Sequence, residues 1–248
     1  MGRLYIREIV LRQPPAEGSY LQDIPVIRSM MEGRSIPLTA PVTCLVGENG
    51  IGKSTLIEGI AVAAGFNPEG GSRNYTFSSV ESHSELHRLL TLARSAYPED
   101  GYFLRAESFY NAISYIDEVD KIQPLLNSYG GRSLHHRSHG EAFLTLVQNR
   151  FGENGLYILD EPEAALSPTR LLTLLMEIHR LVQQNAQFII ATHSPILMAY
   201  PGAQILELSE TGIRTVDYRD TEHYLVTRRF LQDPERMLAT LLADDNNE

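Results

Sequence analysis

The stretch Gly47-Glu48-Asn49-Gly50-Ile51-Gly52-Lys53-Ser54 decides how this chain folds. It fits G-x-x-x-x-G-K-[ST] at every fixed position. The run before it, Val42-Thr43-Cys44-Leu45-Val46, is short, apolar and β-branched, as expected of a buried central strand. A helical pattern follows over 53–64. Glycines at 47, 50 and 52 let the backbone wrap closely around a phosphate chain. The amides of the loop and of the helix start (Glu48, Asn49, Ile51, Thr55) then form an anion nest. Lys53 is placed to reach the β- and γ-phosphates, and the Ser54 hydroxyl to hold Mg²⁺.

The rest of the chain supplies a matching second half. Leu156-Tyr157-Ile158-Leu159 reads as another buried strand and ends in Asp160-Glu161-Pro162-Glu163. Two carboxylates at the carboxyl end of a strand lie where α/β sheets place ligands. Asp160 is the candidate for the Mg²⁺ shell and Glu161 for polarising an attacking water. A third apolar run, Phe188 to Ala191, leads to His193, which can contact the γ-phosphate and hold the water. Strands are also expected at 3–12 (paired with one near 24–28), 73–77 and 101–105, with a hairpin from 205–208 and 213–217. Helical spacing appears at 84–96, 108–127, 141–151, 168–185 and 221–243. Strands alternating with helices imply an α/β core with a mostly parallel sheet.

Composition narrows the setting. The 248 residues are 43% hydrophobic and 21% charged, enough for a full core. A single cysteine, Cys44, excludes a disulfide scaffold and a cysteine-based metal site. The net charge of −10 argues against coating nucleic acid by bulk charge, though a local arginine patch is compatible with it. Only Lys53 and Lys121 are lysines. There is no signal-peptide pattern and no run of 18 apolar residues, so a cytoplasmic protein with no direct membrane insertion is expected. His135, His136 and His139 cluster in sequence, but no fourth metal ligand is suitably spaced. Arg12, Arg28 and Arg34 are candidates for base stacking or phosphate contact, or are solvated surface arginines.

Taken in order, these motifs resemble the ATP-binding cassette type ATPases, and more narrowly the stand-alone bacterial AAA family ATPases related to RecF, SMC and Rad50 heads. Gly47–Ser54 matches the Walker A motif. Ser138-His139-Gly140-Glu141 matches the signature motif, 22 residues ahead of the Walker B Asp160 and catalytic Glu161, and His193 matches the switch histidine. The resemblance implies a P-loop NTPase fold, with a small N-terminal β subdomain, a helical lobe at about 80–150 and a helical tail at about 221–243, all one ATPase domain. It implies ATP and Mg²⁺ as cofactors and a head-to-tail homodimer. In that dimer Ser138 and Gly140 contact the γ-phosphate held by the opposite subunit. Two positions depart from the family pattern. Where a Q-loop glutamine is expected the chain has Arg105-Ala106-Glu107-Ser108, with Glu107 the nearest match for a metal contact. The D-loop reads Ala164-Ala165-Leu166-Ser167, without its usual aspartate.

Three functions fit this pattern. The first is an ATPase whose closing dimer acts on DNA or a DNA-associated protein, in maintenance or defence. The second is the nucleotide-binding subunit of a membrane transporter, which the missing glutamine disfavours. The third is a slow ATP-dependent protein-interaction switch. A long coiled-coil arm is excluded, since Arg137 lies only 83 positions after Ser54 and no heptad pattern runs between them.

Overall fold

The computed structural model describes residues 3–72, 84–106 and 139–243. The expected strand at 73–77 and helix at 108–127 lie outside the described residues, as do Glu107, Lys121, His135, His136 and Ser138.

The core is a seven-stranded sheet in the order β10-β9-β3-β8-β7-β6-β4. Its centre is all parallel: β9 (Gln204–Ser209), β3 (Val42–Val46), β8 (Gln187–Ala191), β7 (Gly155–Asp160) and β6 (Asp100–Arg105). The edges are antiparallel, from β10 (Gly212–Val216) on one side and the short β4 (Gly71–Ser72) on the other. Every residue of β3, β7 and β8 is buried, so these strands read as continuous apolar runs rather than alternating ones.

Strand pleating sends alternate side chains into two cores. Val42, Cys44, Tyr157, Leu159, Phe188 and Ile190 face α4 (His139–Arg150) and α5 (Pro168–Gln183). Leu45, Leu156, Ile158 and Ile189 face α2 (Lys53–Ala63), with α1 (Pro25–Met31) and the short α3 (Leu86–Leu89) in the same core. The Cys44 thiol is fully buried, which pushes its pKa up to about 12, so it is inert. Beyond β8 come α6 (Pro195–Met198), α7 (Glu222–Gln232) and α8 (Pro234–Leu241). The expected tail helix is thus two helices, broken where Pro234 follows the capping Asp233, whose carboxylate accepts from the Arg236 amide at 3.1 Å. No helix among the described residues is long and apolar enough to cross a membrane.

Two expectations are corrected. The run 24–28 is not a strand but enters α1, with Pro25 in its first turn and Val26, Ile27 and Met30 buried on one face. β1 (Ile6–Leu11) pairs instead with β2 (Ile36–Pro37) and β5 (Leu90–Arg94). The second correction follows from that pairing: only Leu86–Leu89 of the 84–96 segment is helical, because β5 completes the small sheet at an open edge of β1.

Two glutamines tie this small sheet to the core. Gln187, with 0% exposure, accepts from the Tyr5 and Ile6 amides at 2.7 and 2.9 Å and donates to the Ile6 carbonyl at 2.8 Å. Gln204 accepts from the Thr39 amide and donates to the Pro37 carbonyl. Replacing Gln187 by leucine leaves two buried amides and a carbonyl without partners. A loss of about 3 kcal/mol is expected, read as a melting temperature lower by roughly 6–12 °C. A melt within 2 °C of wild type would show that the amides find other partners.

Candidate nucleotide site

Parallel register brings the chemistry to one end of the sheet. Leu45 and Asp160 both pair with Ala191, and Arg105 pairs with Asp160. Three further bonds extend the pairing past the strand ends: Glu161 amide to Ala191 carbonyl, Thr192 amide to Leu45 carbonyl and Ala106 amide to Asp160 carbonyl. Segments far apart in sequence therefore leave the sheet side by side.

The loop after β3 needs its glycines at two points. Gly47 has φ +146°, and a Cβ there would lie 2.4 Å from the Leu208 carbonyl oxygen. Gly52 has φ +100°, and a Cβ would meet Ile24 at 2.4 Å. The loop is thus pressed between β9 and the start of α1. Glu48, Asn49, Gly50 and Ser54 are exposed, Thr55 is half-buried and Ile51 is buried. Lys53 is only 4% exposed, and its ammonium donates to the Gly47 and Glu48 carbonyls at 2.8 and 2.7 Å. Burial lowers its pKa, against the opposing pull of Glu161, Asp160 and Glu163.

The three acids have different surroundings. Asp160 is buried, and its carboxylate lies 3.5 Å from Arg105 Nε. Arg105 also donates to Glu58 of α2 at 2.9 Å. Glu161 is half-exposed and has φ +48°, an uncommon backbone for a non-glycine residue that costs of order 1 kcal/mol or more. Pro162 opens a 3-10 turn directly after it. Glu163 is largely buried and accepts from the His193 amide at 2.5 Å; burial pushes its carboxyl up despite that bond.

His193 completes the group. Its Nε2 lies 3.6 Å from a Glu161 oxygen, and its Nδ1 lies 2.8 Å from Nε2 of His223, at the start of α7. Burial lowers the His193 pKa, as does the Lys53 charge, against Glu161. Burial also lowers that of His223, with His193 next. The loop residues Gly47 to Ile51 line a cleft of about 520 Å³ together with Leu208, Glu222 and His223.

Oxygen donors of the kind Mg²⁺ takes are present, the Ser54 hydroxyl and the Asp160 carboxylate. Among the described residues, no group of three His, Cys, Asp or Glu side chains forms a dedicated metal cage. Mg²⁺ is generally held by one or two protein oxygens together with phosphate. Gly140 is buried in the first turn of α4. A Cβ there would meet Arg170 at 2.7 Å and the Ala165 carbonyl at 3.0 Å.

Two family models match the chain. One, described as "AAA domain, putative AbiEii toxin, Type IV TA system", covers residues 136–199, and the other, "AAA domain", covers 24–123. Together with the sheet topology, these matches show the P-loop ATPase fold of the ATP-binding cassette type. Solved structures share that fold. The cbiO1 protein from Clostridium perfringens, part of the ABC transporter complex cbiONQ, is 16% identical with a TM-score of 0.50, over 97% of this chain and 100% of that one. A chain of an inward-facing ABC transporter is 16% identical with a TM-score of 0.50, over 90% and 88%. The SMC head domain from Thermotoga maritima is more distant, at 15% identity and a TM-score of 0.44, over 86% and 99%. No curated protein matches this chain.

Arg105, Glu163 and His223 received no role from the sequence. Glu163 had a signal, as the second acid of Asp160-Glu161-Pro162-Glu163. Arg105 and His223 had none, since only strand register and helix docking bring them in.

Two outcomes follow from this geometry. Arg105→Met leaves Glu58 and Asp160 without their cation. The nucleotide-free protein should lose about 2 kcal/mol, a melting temperature lower by roughly 4–8 °C; an unchanged melt would mean the pairs contribute nothing. The two imidazoles bind protons less readily in the folded chain than at the ordinary 6.5. Their contribution is therefore fully present above pH 6.5 and lost as pH falls through the lowered values. The raised Glu163 works in the opposite direction but is common to wild type and His223→Gln. Thermal melts should show the margin of wild type over His223→Gln narrowing from pH 7.5 to 5.5. A margin independent of pH would contradict neutral imidazoles.

Proposed function

We propose that the chain is a single ATPase domain that hydrolyses ATP to ADP and phosphate. The convergence of Lys53, Asp160, Glu161 and His193 at the carboxyl ends of three adjacent parallel strands carries this reading. The amides of Gly47 to Thr55 cradle the phosphates, and the Lys53 ammonium neutralises charge on the β- and γ-phosphates. Ser54 and Asp160 would hold Mg²⁺, with Glu107 a further candidate. When bound, the ion supplies positive charge to the phosphate oxygens.

Glu161 is the half-exposed carboxylate beside His193. It takes a proton from water as the water oxygen attacks the γ-phosphorus in line and the bond to the β–γ bridging oxygen breaks. His193 Nε2, 3.6 Å from that carboxylate, orients the water and the γ-phosphate.

The site is completed in a head-to-tail homodimer, with Ser138 and Gly140 of one copy reaching the γ-phosphate bound by the other. ATP becomes part of the interface, so binding closes the dimer and hydrolysis releases it. The closing dimer acts as a switch on a further partner, DNA or a DNA-associated protein.

Glu161→Gln keeps the shape and removes the base. Phosphate release should fall by 100-fold or more. Light scattering with ATP and Mg²⁺ should show a dimer that is absent without them. Unchanged release would remove Glu161 as the base, and a monomer under all conditions would remove the ATP-driven dimer.

A further inference from the structure

His223 is the one side chain of the C-terminal helices that hydrogen-bonds to the machinery proposed for hydrolysis, among the described residues. Its Nε2 lies 2.8 Å from His193 Nδ1, the rings 5.0 Å apart. A neutral imidazole has one donor and one acceptor nitrogen, so in a bond between two of them one ring donates and the other accepts. Burial keeps both rings from charging readily near neutral pH.

The carboxylate on the far side of His193 selects between the two arrangements. Glu161 accepts only, and it lies 3.6 Å from His193 Nε2. If His193 donated through Nδ1, its Nε2 lone pair would face that carboxylate, which is repulsive. If His223 donates from Nε2, His193 accepts at Nδ1 and turns an N–H toward Glu161. We propose that His223 is a positioning residue for His193, fixing its ring plane and its tautomer so that Nε2–H points at the Glu161 carboxylate. A third group orienting a histidine beside the reacting centre is a general arrangement in catalysis.

The mount for His223 is local. Thr221 is fully buried and caps α7, accepting from the Tyr224 amide at 3.4 Å and donating to the Tyr218 carbonyl at 2.8 Å. The Tyr218 and Tyr224 rings pack at 4.6 Å. Beyond that turn α7 and α8 bury no side chain. The seat of α7 is thus a condition for an aligned His193, and a displacement of that helix would withdraw His223 from the site.

This inference rests on the proposed role of His193, and the test separates the two. Single-turnover phosphate release and the affinity for a fluorescent ATP analogue are measured for wild type, His193→Ala, His223→Ala, His223→Gln and the double alanine variant, each with a thermal melt. His223→Ala should slow release roughly 10- to 100-fold with nucleotide affinity within two-fold. His223→Gln, whose amide can still donate, should recover most of the rate. The double variant should be no slower than His193→Ala alone. A slow His193→Ala beside a wild-type His223→Ala overturns the positioning role only. Independent, multiplying losses in the double variant also overturn it. A wild-type rate in His193→Ala removes the role of His193, and this inference with it.

Discussion

The pairing of β8 between β3 and β7 is the constraint on which the rest of the molecule depends. Parallel hydrogen bonding fixes which residues lie side by side, and here it aligns Leu45, Ala191 and Asp160 at one level. One residue of slip would send each strand's side chains to the opposite face. It would also move Glu161 and His193 relative to the phosphate loop. The three strands are buried on both faces, so a slip would not by itself turn an apolar face to water, and bonds beyond the strands also hold the register. Past the strand ends, the Glu161 and Thr192 amides hold it by bonding to Ala191 and Leu45. On its flank, Gln187 and Gln204 hold the N-terminal sheet in place.

That framework explains the electrostatics of the cleft. Lys53 is buried against its own loop carbonyls and faces three carboxylates, so its charge is desolvated and partly compensated. Asp160 shares Arg105 with Glu58, which links the end of β7 to the helix that follows the phosphate loop. The strained backbone of Glu161 turns the chain sharply after Asp160 and leaves Glu161 half-exposed beside a buried aspartate. Adjacent acids therefore have separate environments, which suits the separate roles proposed for them.

Much of the fold was legible because local signals agreed. The limits expected for β3, α2, β6 and the 205–217 hairpin match the structure within a residue or two, since apolar runs, glycines and prolines all mark the same boundaries. The misreadings have one cause. Ile24 to Arg28 looks like a strand by composition, yet a helix buries Val26, Ile27 and Met30 together. The segment 84–96 has helical spacing, yet the open edge of β1 captures its second half as β5. In both places tertiary partners overrode local preference.

The sequence alone determined the phosphate loop, the paired acids after β7, the histidine after β8 and the α/β class. Each depends on residues adjacent in the chain, where spacing and chemistry are read together. Only the tertiary structure decided which distant groups join them. Arg105 meets Asp160 through strand register, Glu163 holds the His193 backbone through a turn, and His223 reaches His193 through the seating of a helix thirty positions later. Such contacts leave no local pattern, because they are set by packing between elements whose separation along the chain does not constrain their separation in space.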